Sequence, residues 1–188
     1  MAREGGMMIS NRIEARIEIK APASRVWLAL TDYRQFEAWF KVELDGPFVP
    51  GQSSHGHITE PGYEHVRWDA VVQEMTPERV FSYTWHPYAA DPAKDYSKET
   101  PTFVEFRLEE TPNGTLLTVT ESGFDELPSD RREEAFRMHE DGWDEQVRRI
   151  ERYVASQTRR GFRSGGALPQ CVWVVTSSWS WPGSYSRA

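Results

Sequence analysis

The strongest constraint on this chain is an order of elements. Short segments of alternating polarity run as far as Ser122, and one long amphipathic stretch built around Gly142 and Trp143 follows them. A strongly curved antiparallel sheet leaves one apolar concave face that something long must cover. The expected fold is therefore α+β, a curved antiparallel sheet wrapped on a long C-terminal helix, with space for a small apolar molecule between the two layers.

The local patterns supply the parts. Ile13, Ala15, Ile17 and Ile19 alternate with Glu14, Arg16, Glu18 and Lys20, which predicts a first strand with one wet face. Pro22 suits a first helical turn, and Val26, Trp27 and Leu30 form the stripe of a short helix. Asp32 is placed to cap a second short helix through Phe36 and Trp39. A meander is then predicted over Lys41 to Asp45, Ser53 to Thr59, His65 to Met75, Arg79 to Trp85, Thr102 to Glu110 and Thr115 to Ser122. Turn residues at Pro50–Gly51, Pro61–Gly62, Thr76–Pro77 and Asn113–Gly114 mark the joints. Ser129 is the expected cap of the closing helix, on whose apolar face Phe136, Trp143, Val147, Ile150 and Val154 recur at spacings of seven, four, three and four. Gly142, costly inside a helix, suggests close approach by the sheet or a ring.

The 188 residues carry 22 Lys and Arg against 29 Asp and Glu, a net charge of −7. No clustered basic face emerges, so nucleic acid is not an expected partner. No apolar run is long enough to span a bilayer, and membrane insertion is not expected either. The single cysteine, Cys171, and the polar start from Met1 to Arg12 point to the cytoplasm. Every acidic residue lies before Ser156, and the remainder is rich in Ser, Gly and Trp. The expected organisation is a flexible N-terminus over 1–11, one domain over 12–155 and a disordered tail over 156–188. Trp173, Trp179 and Trp181 in that tail form a possible binding segment, and Cys171 to Val175 an aggregation-prone run.

Four blocks carry a resemblance. "APASRVWLALTD" (Ala21 to Asp32) is similar to the opening of START-like proteins of the SRPBCC superfamily. "WDAVVQEMTPERVFSYTW" (Trp68 to Trp85), "GTLLTVTESGF" (Gly114 to Phe124) and "HEDGWDEQVRRIERYV" (His139 to Val154) resemble, in order and spacing, the family named after the activator of heat shock protein 90 ATPase. The resemblance implies a helix-grip fold like that of the birch-pollen allergen (Bet v) class and a lipid, aromatic or polyketide-like ligand. The turn at Asp45 to Phe48, the polar stretch Asp91 to Lys98 and the tail depart from the family pattern.

Candidate site residues fall into groups. A small apolar or aromatic ligand is expected to meet Trp39, Phe40, Trp68, Tyr83, Trp85, Phe103, Phe106, Met138 and Trp143. Glu105 and Glu121 are candidate acid–base groups if burial raises their pKa, with Arg107 or His86 as oxyanion partner. His55 and His57, two apart on a strand, are the candidate metal ligands, but a third ligand is not evident. No metal or cofactor is expected. A binding domain is preferred over a polyketide cyclase or dehydratase, and over a chaperone-associated module, which calls for a filled interior and an exposed apolar patch.

Overall fold

A computed structural model describes residues 11–87, 89 and 93–163. Alternation builds β1 (Arg12–Ile19), whose Ile13, Ala15 and Ile19 are buried while the intervening charged residues face water. Pro22 sits one position before α1 (Ala23–Thr31), where its carbonyl accepts from the Arg25 N–H at 2.9 Å. The Asp32 carboxylate accepts from the Gln35 N–H at 3.1 Å and so caps α2 (Tyr33–Phe40) as its residue type predicts. The Trp39 indole N–H donates to the Ala29 carbonyl at 2.7 Å and ties the two short helices together.

The rest of the sheet follows as β2 (Val42–Leu44), β3 (Ser53–Ile58), β4 (Arg67–Thr76), β5 (Val80–Trp85), β6 (Thr102–Thr111) and β7 (Gly114–Ser122). A single-turn 3-10 helix (Phe124–Glu126) leads to α3 (Arg132–Arg163). All strand pairs are antiparallel, in the order β1-β7-β6-β5-β4-β3-β2. The first strand thus closes onto the last, and α3 lies over the inner face of the curved sheet.

Three boundaries differ from the sequence expectation by two residues or more. Residues 61–66 form tight turns closed by backbone bonds such as Val66 N–H to the Tyr63 carbonyl at 2.9 Å, so β4 starts at Arg67 and not at His65. The closing helix starts at Arg132; the turn before it is held by the Pro128 carbonyl, which accepts from the N–H groups of Arg131 and Arg132 at 3.2 and 3.1 Å. Ser129 is therefore not its first-turn cap. The helix also continues past Ala155 to Arg163, so the expected tail begins in helix. The readings made for residues 1–10, and those at Cys171 to Val175, Trp173, Trp179 and Trp181, lie outside the described residues.

Rings dominate the core. Phe36, without exposed surface, meets Trp39, Phe40, Phe48, Trp68 and Phe81 at centroid distances of 4.8 to 6.5 Å. The ring cluster continues through Tyr83, Trp85 and Phe106 to Trp143, so α3 is packed against the sheet through aromatic contact. Ile150 and Val154 continue the same buried face of α3.

The β6–β7 turn shows how narrow the backbone tolerances are. Gly114 has φ +147°, and a Cβ there would lie 2.2 Å from the Ile19 carbonyl oxygen, at the end of β1. Gly114→Ala is therefore expected to destabilise the fold by more than about 1 kcal/mol, read as a fall of several degrees in the thermal midpoint. An unchanged midpoint would contradict this packing.

Candidate functional site

On β7 the inward phase runs Leu117, Val119, Glu121, so strand periodicity drives a carboxylate into the apolar layer. On β6 the inward phase is Thr102, Val104, Phe106 and Leu108. Trp85 ends β5 opposite Thr102. From the other side, His139 and Trp143, one helical turn apart on α3, reach down to the same point.

Glu121 is 0% exposed and accepts four hydrogen bonds. Its Oε1 accepts from Trp85 Nε1 at 2.8 Å and Thr102 Oγ1 at 2.6 Å. Its Oε2 accepts from His139 Nδ1 at 2.7 Å and Trp143 Nε1 at 2.6 Å. Burial is the largest single influence and pushes the carboxyl up. The charge and hydrogen bond of His139, with the bonds from Thr102 and Trp143, outweigh it and hold the group below its ordinary 4.5. This reverses the direction expected from sequence, where burial alone was considered.

Beside the carboxylate lies a cavity of about 420 Å³. One wall is α3, from Met138 and His139 through Gly142 and Trp143 to Gln146 and Arg149. Trp85 and His86 form the end at β5, and Phe40 contributes from α2. The β3–β4 connection closes the remaining side with Ile58, Glu60, Tyr63, Val66 and Arg67. Arg149 Nη1 bonds Glu60 Oε2 at 2.6 Å and so joins α3 to that connection. Glu60 and Glu145 together outweigh burial and hold the guanidinium above its ordinary value.

Gly142 corrects a second expectation. A Cβ there would meet nothing within 4 Å, so neither sheet nor ring approaches it. Its missing side chain leaves room in the cavity wall.

Of the residues named from sequence as ligand contacts, Phe40, Trp85, Met138 and Trp143 line the cavity. Trp39, Trp68, Tyr83 and Phe106 are buried behind it as packing. Trp68 Nε1 is satisfied by Ser54 Oγ at 3.1 Å, and burial pushes the Tyr83 phenol well up. Phe103 is a correction: it shares the outward phase of β6 with Glu105 and Arg107 and is 37% exposed.

Glu105 and Arg107 pair with each other at 2.8 Å on that outer face, remote from the enclosure. His86 does line the cavity; burial holds it below the ordinary histidine range, against the opposing pull of Glu99. His55 and His57 are exposed and face Asp69 at 2.7 Å and Glu43 at 3.6 Å. Among the described residues no group of three or more His, Cys, Asp or Glu converges as a metal site would require. Sequence reasoning passed over His139, Thr102, Gln146 and Arg149. The usable signal was helical spacing: His139 stands four before Trp143.

The curved sheet gripping a long helix over a cavity defines a helix-grip domain of the SRPBCC, START-like class. The chain belongs to the family described as Activator of Hsp90 ATPase homolog 1-like protein, whose model matches residues 20–155. Protein MLL2253 from Mesorhizobium loti is similar in structure, with 26% identity and a TM-score of 0.61 over 77% of this chain and 97% of that one. DynU16, from the dynemicin biosynthetic locus, gives 23% identity and a TM-score of 0.61; the match covers 79% of this chain but 49% of DynU16. CalU16 from Micromonospora echinospora gives 21% and 0.51, over 79% and 78%. No curated protein matches in sequence.

A carboxyl with a lowered folded pKa stabilises the fold fully above its unfolded value and withdraws that stabilisation as pH falls through the folded value. The contribution of Glu121 is therefore present at neutral pH and lost on acidification below 4.5. Glu121→Gln is expected to lower stability near neutral pH by about 3–5 kcal/mol and to flatten the acid limb of a denaturation series. Gly142→Ala should do the opposite and raise the thermal midpoint, since alanine is favoured in a helix by about 1 kcal/mol and meets no clash here.

Proposed function

We propose that this chain is a small-molecule-binding domain whose ligand is flat, largely apolar and aromatic. The observation that carries the reading is the cavity of about 420 Å³ between α3 and the sheet, lined by Phe40, Trp85, Met138 and Trp143. Its size is in the range of small-ligand sites, and its wall combines the rings of Phe40, Tyr63, Trp85 and Trp143 with polar side chains, among which Arg149 is paired with Glu60 and Glu145. Along α3 the wall runs from Met138 to Arg149, about 16 Å at the helical rise per residue, which suits two or three fused rings better than a compact molecule. DynU16 belongs to the dynemicin biosynthetic locus, a setting in which small-molecule handling is at home. A chaperone-docking module calls for a filled interior, and the open one here favours a ligand.

The test uses the indoles of Trp85 and Trp143, which face the space. Titration with 2-naphthylacetone, an apolar aryl ketone, is expected to perturb tryptophan emission at micromolar concentration. Gly142→Phe, which places a ring in the gap at that position, should weaken binding at least about tenfold, a loss of about 1.4 kcal/mol, while the protein stays folded. Equal affinity in that variant, or no binding to the wild type, would remove the cavity from the account.

A further inference from the structure

The polar atoms around the cavity are not equally committed. The indole N–H groups of Trp85 and Trp143 both donate to Glu121, so what these two rings offer a ligand is carbon. The charged groups of the wall are paired, Arg149 with Glu60 and Glu145, and Arg67 with Asp69. Gln146 is different. It lines the cavity from α3 between Trp143 and Arg149, and its Oε1 is buried without a hydrogen-bond partner among the described residues.

The orientation of this carboxamide follows from its other half. Gln146 Nε2 donates to the Phe40 carbonyl at 3.4 Å. That carbonyl ends α2, where no N–H within the helix reaches it, and a carbonyl only accepts. The NH2 group therefore faces Phe40, and the oxygen is the half left over. An acceptor shut away from water without a partner carries the full cost of its lost hydration. The bond to Phe40 is long and the last torsion of a glutamine is soft, so a small turn brings the oxygen to the cavity surface while the nitrogen stays by the carbonyl. What satisfies the oxygen there is a hydrogen supplied by the ligand. His86 Nδ1 is likewise buried without a partner among the described residues, but an imidazole nitrogen donates or accepts according to its tautomer and does not discriminate. An amide oxygen does.

We propose that Gln146 Oε1 is the specificity-determining acceptor of the cavity, and that the ligand is a fused-ring aromatic carrying a hydroxyl whose O–H donates to it. This inference rests on the ligand reading above and adds to it a polar group and a direction. The rings lie against Phe40, Trp85 and Trp143, and the hydroxyl points along α3 towards Gln146. A neutral donor suits a wall whose charges are already paired, and an aryl hydroxyl projects beyond the ring edge and donates more strongly than a ring N–H.

The experiment titrates the full chain with 2-naphthol and, in parallel, with 2-methoxynaphthalene, by calorimetry at pH 7. The probes share one flat ring system, and methylation removes the donated hydrogen while adding apolar surface. A purely apolar cavity ranks the ether first. The wild type is expected to bind 2-naphthol about tenfold more tightly, because the ether leaves the acceptor unpaired. Gln146→Leu, of similar size but without an acceptor, should abolish that preference while changing the dissociation constant of the ether by less than about threefold. Damage to the cavity would weaken both probes together, whereas loss of the acceptor changes their ratio.

Should Gln146→Leu fail to fold, Gln146→Lys tests the same point, since its ammonium still donates to the Phe40 carbonyl but offers no acceptor; it too should lose the preference. The wild-type comparison stands without either variant. A wild type that binds both probes and ranks the ether equal or first overturns this inference alone. An undiminished preference in either folded variant does so as well. A wild type that binds neither probe overturns the underlying ligand reading instead.

Discussion

A single buried carboxylate joins the two layers of this molecule. Glu121 enters from the sheet, and half of its hydrogen bonds come from the sheet and half from α3. Leaving such a group uncompensated in an apolar interior costs several kcal/mol, so its donors are held to one arrangement. That arrangement fixes how α3 lies on the sheet at Trp143 and keeps the indole of Trp85 at the inner wall. The apolar contacts supply bulk adhesion, and the carboxylate supplies the register.

The space beside this clamp follows from the same geometry. With His139 and Trp143 drawn down onto Glu121, the intervening turn of α3 passes over the sheet at Gly142, where no side chain fills the gap. Farther along, Arg149 reaches across to Glu60 and holds the helix to the β3–β4 connection. Helix and sheet are thus joined at both ends of the cavity, and the unfilled volume lies between the two attachments.

Much of this was legible in sequence, because strands and helices declare themselves through local period. The seven strands, both short helices and the Asp32 cap all follow from nearest-neighbour patterns. The errors arose where two elements meet. The pKa direction of Glu121 depends on His139 and on Trp143, which approach from another element, and no local pattern reports that. Glycine inside a helix signals something special at Gly142, and only the facing layer reveals that the special feature is space. Phe103 was different in kind. Its parity matches Glu105 and Arg107, not Phe106, and strict period-two reading would have placed it outside.

The topology has a consequence for how the chamber comes into being. Arg12 lies opposite Ser122, so β1 leaves the ribosome long before β7, its partner, has been synthesised. Pairings so distant along a polypeptide form slowly, because the loop must close before any contact rewards it. The helix that roofs the chamber is translated later still. The space between sheet and helix is consequently enclosed only once both β7 and α3 are in place.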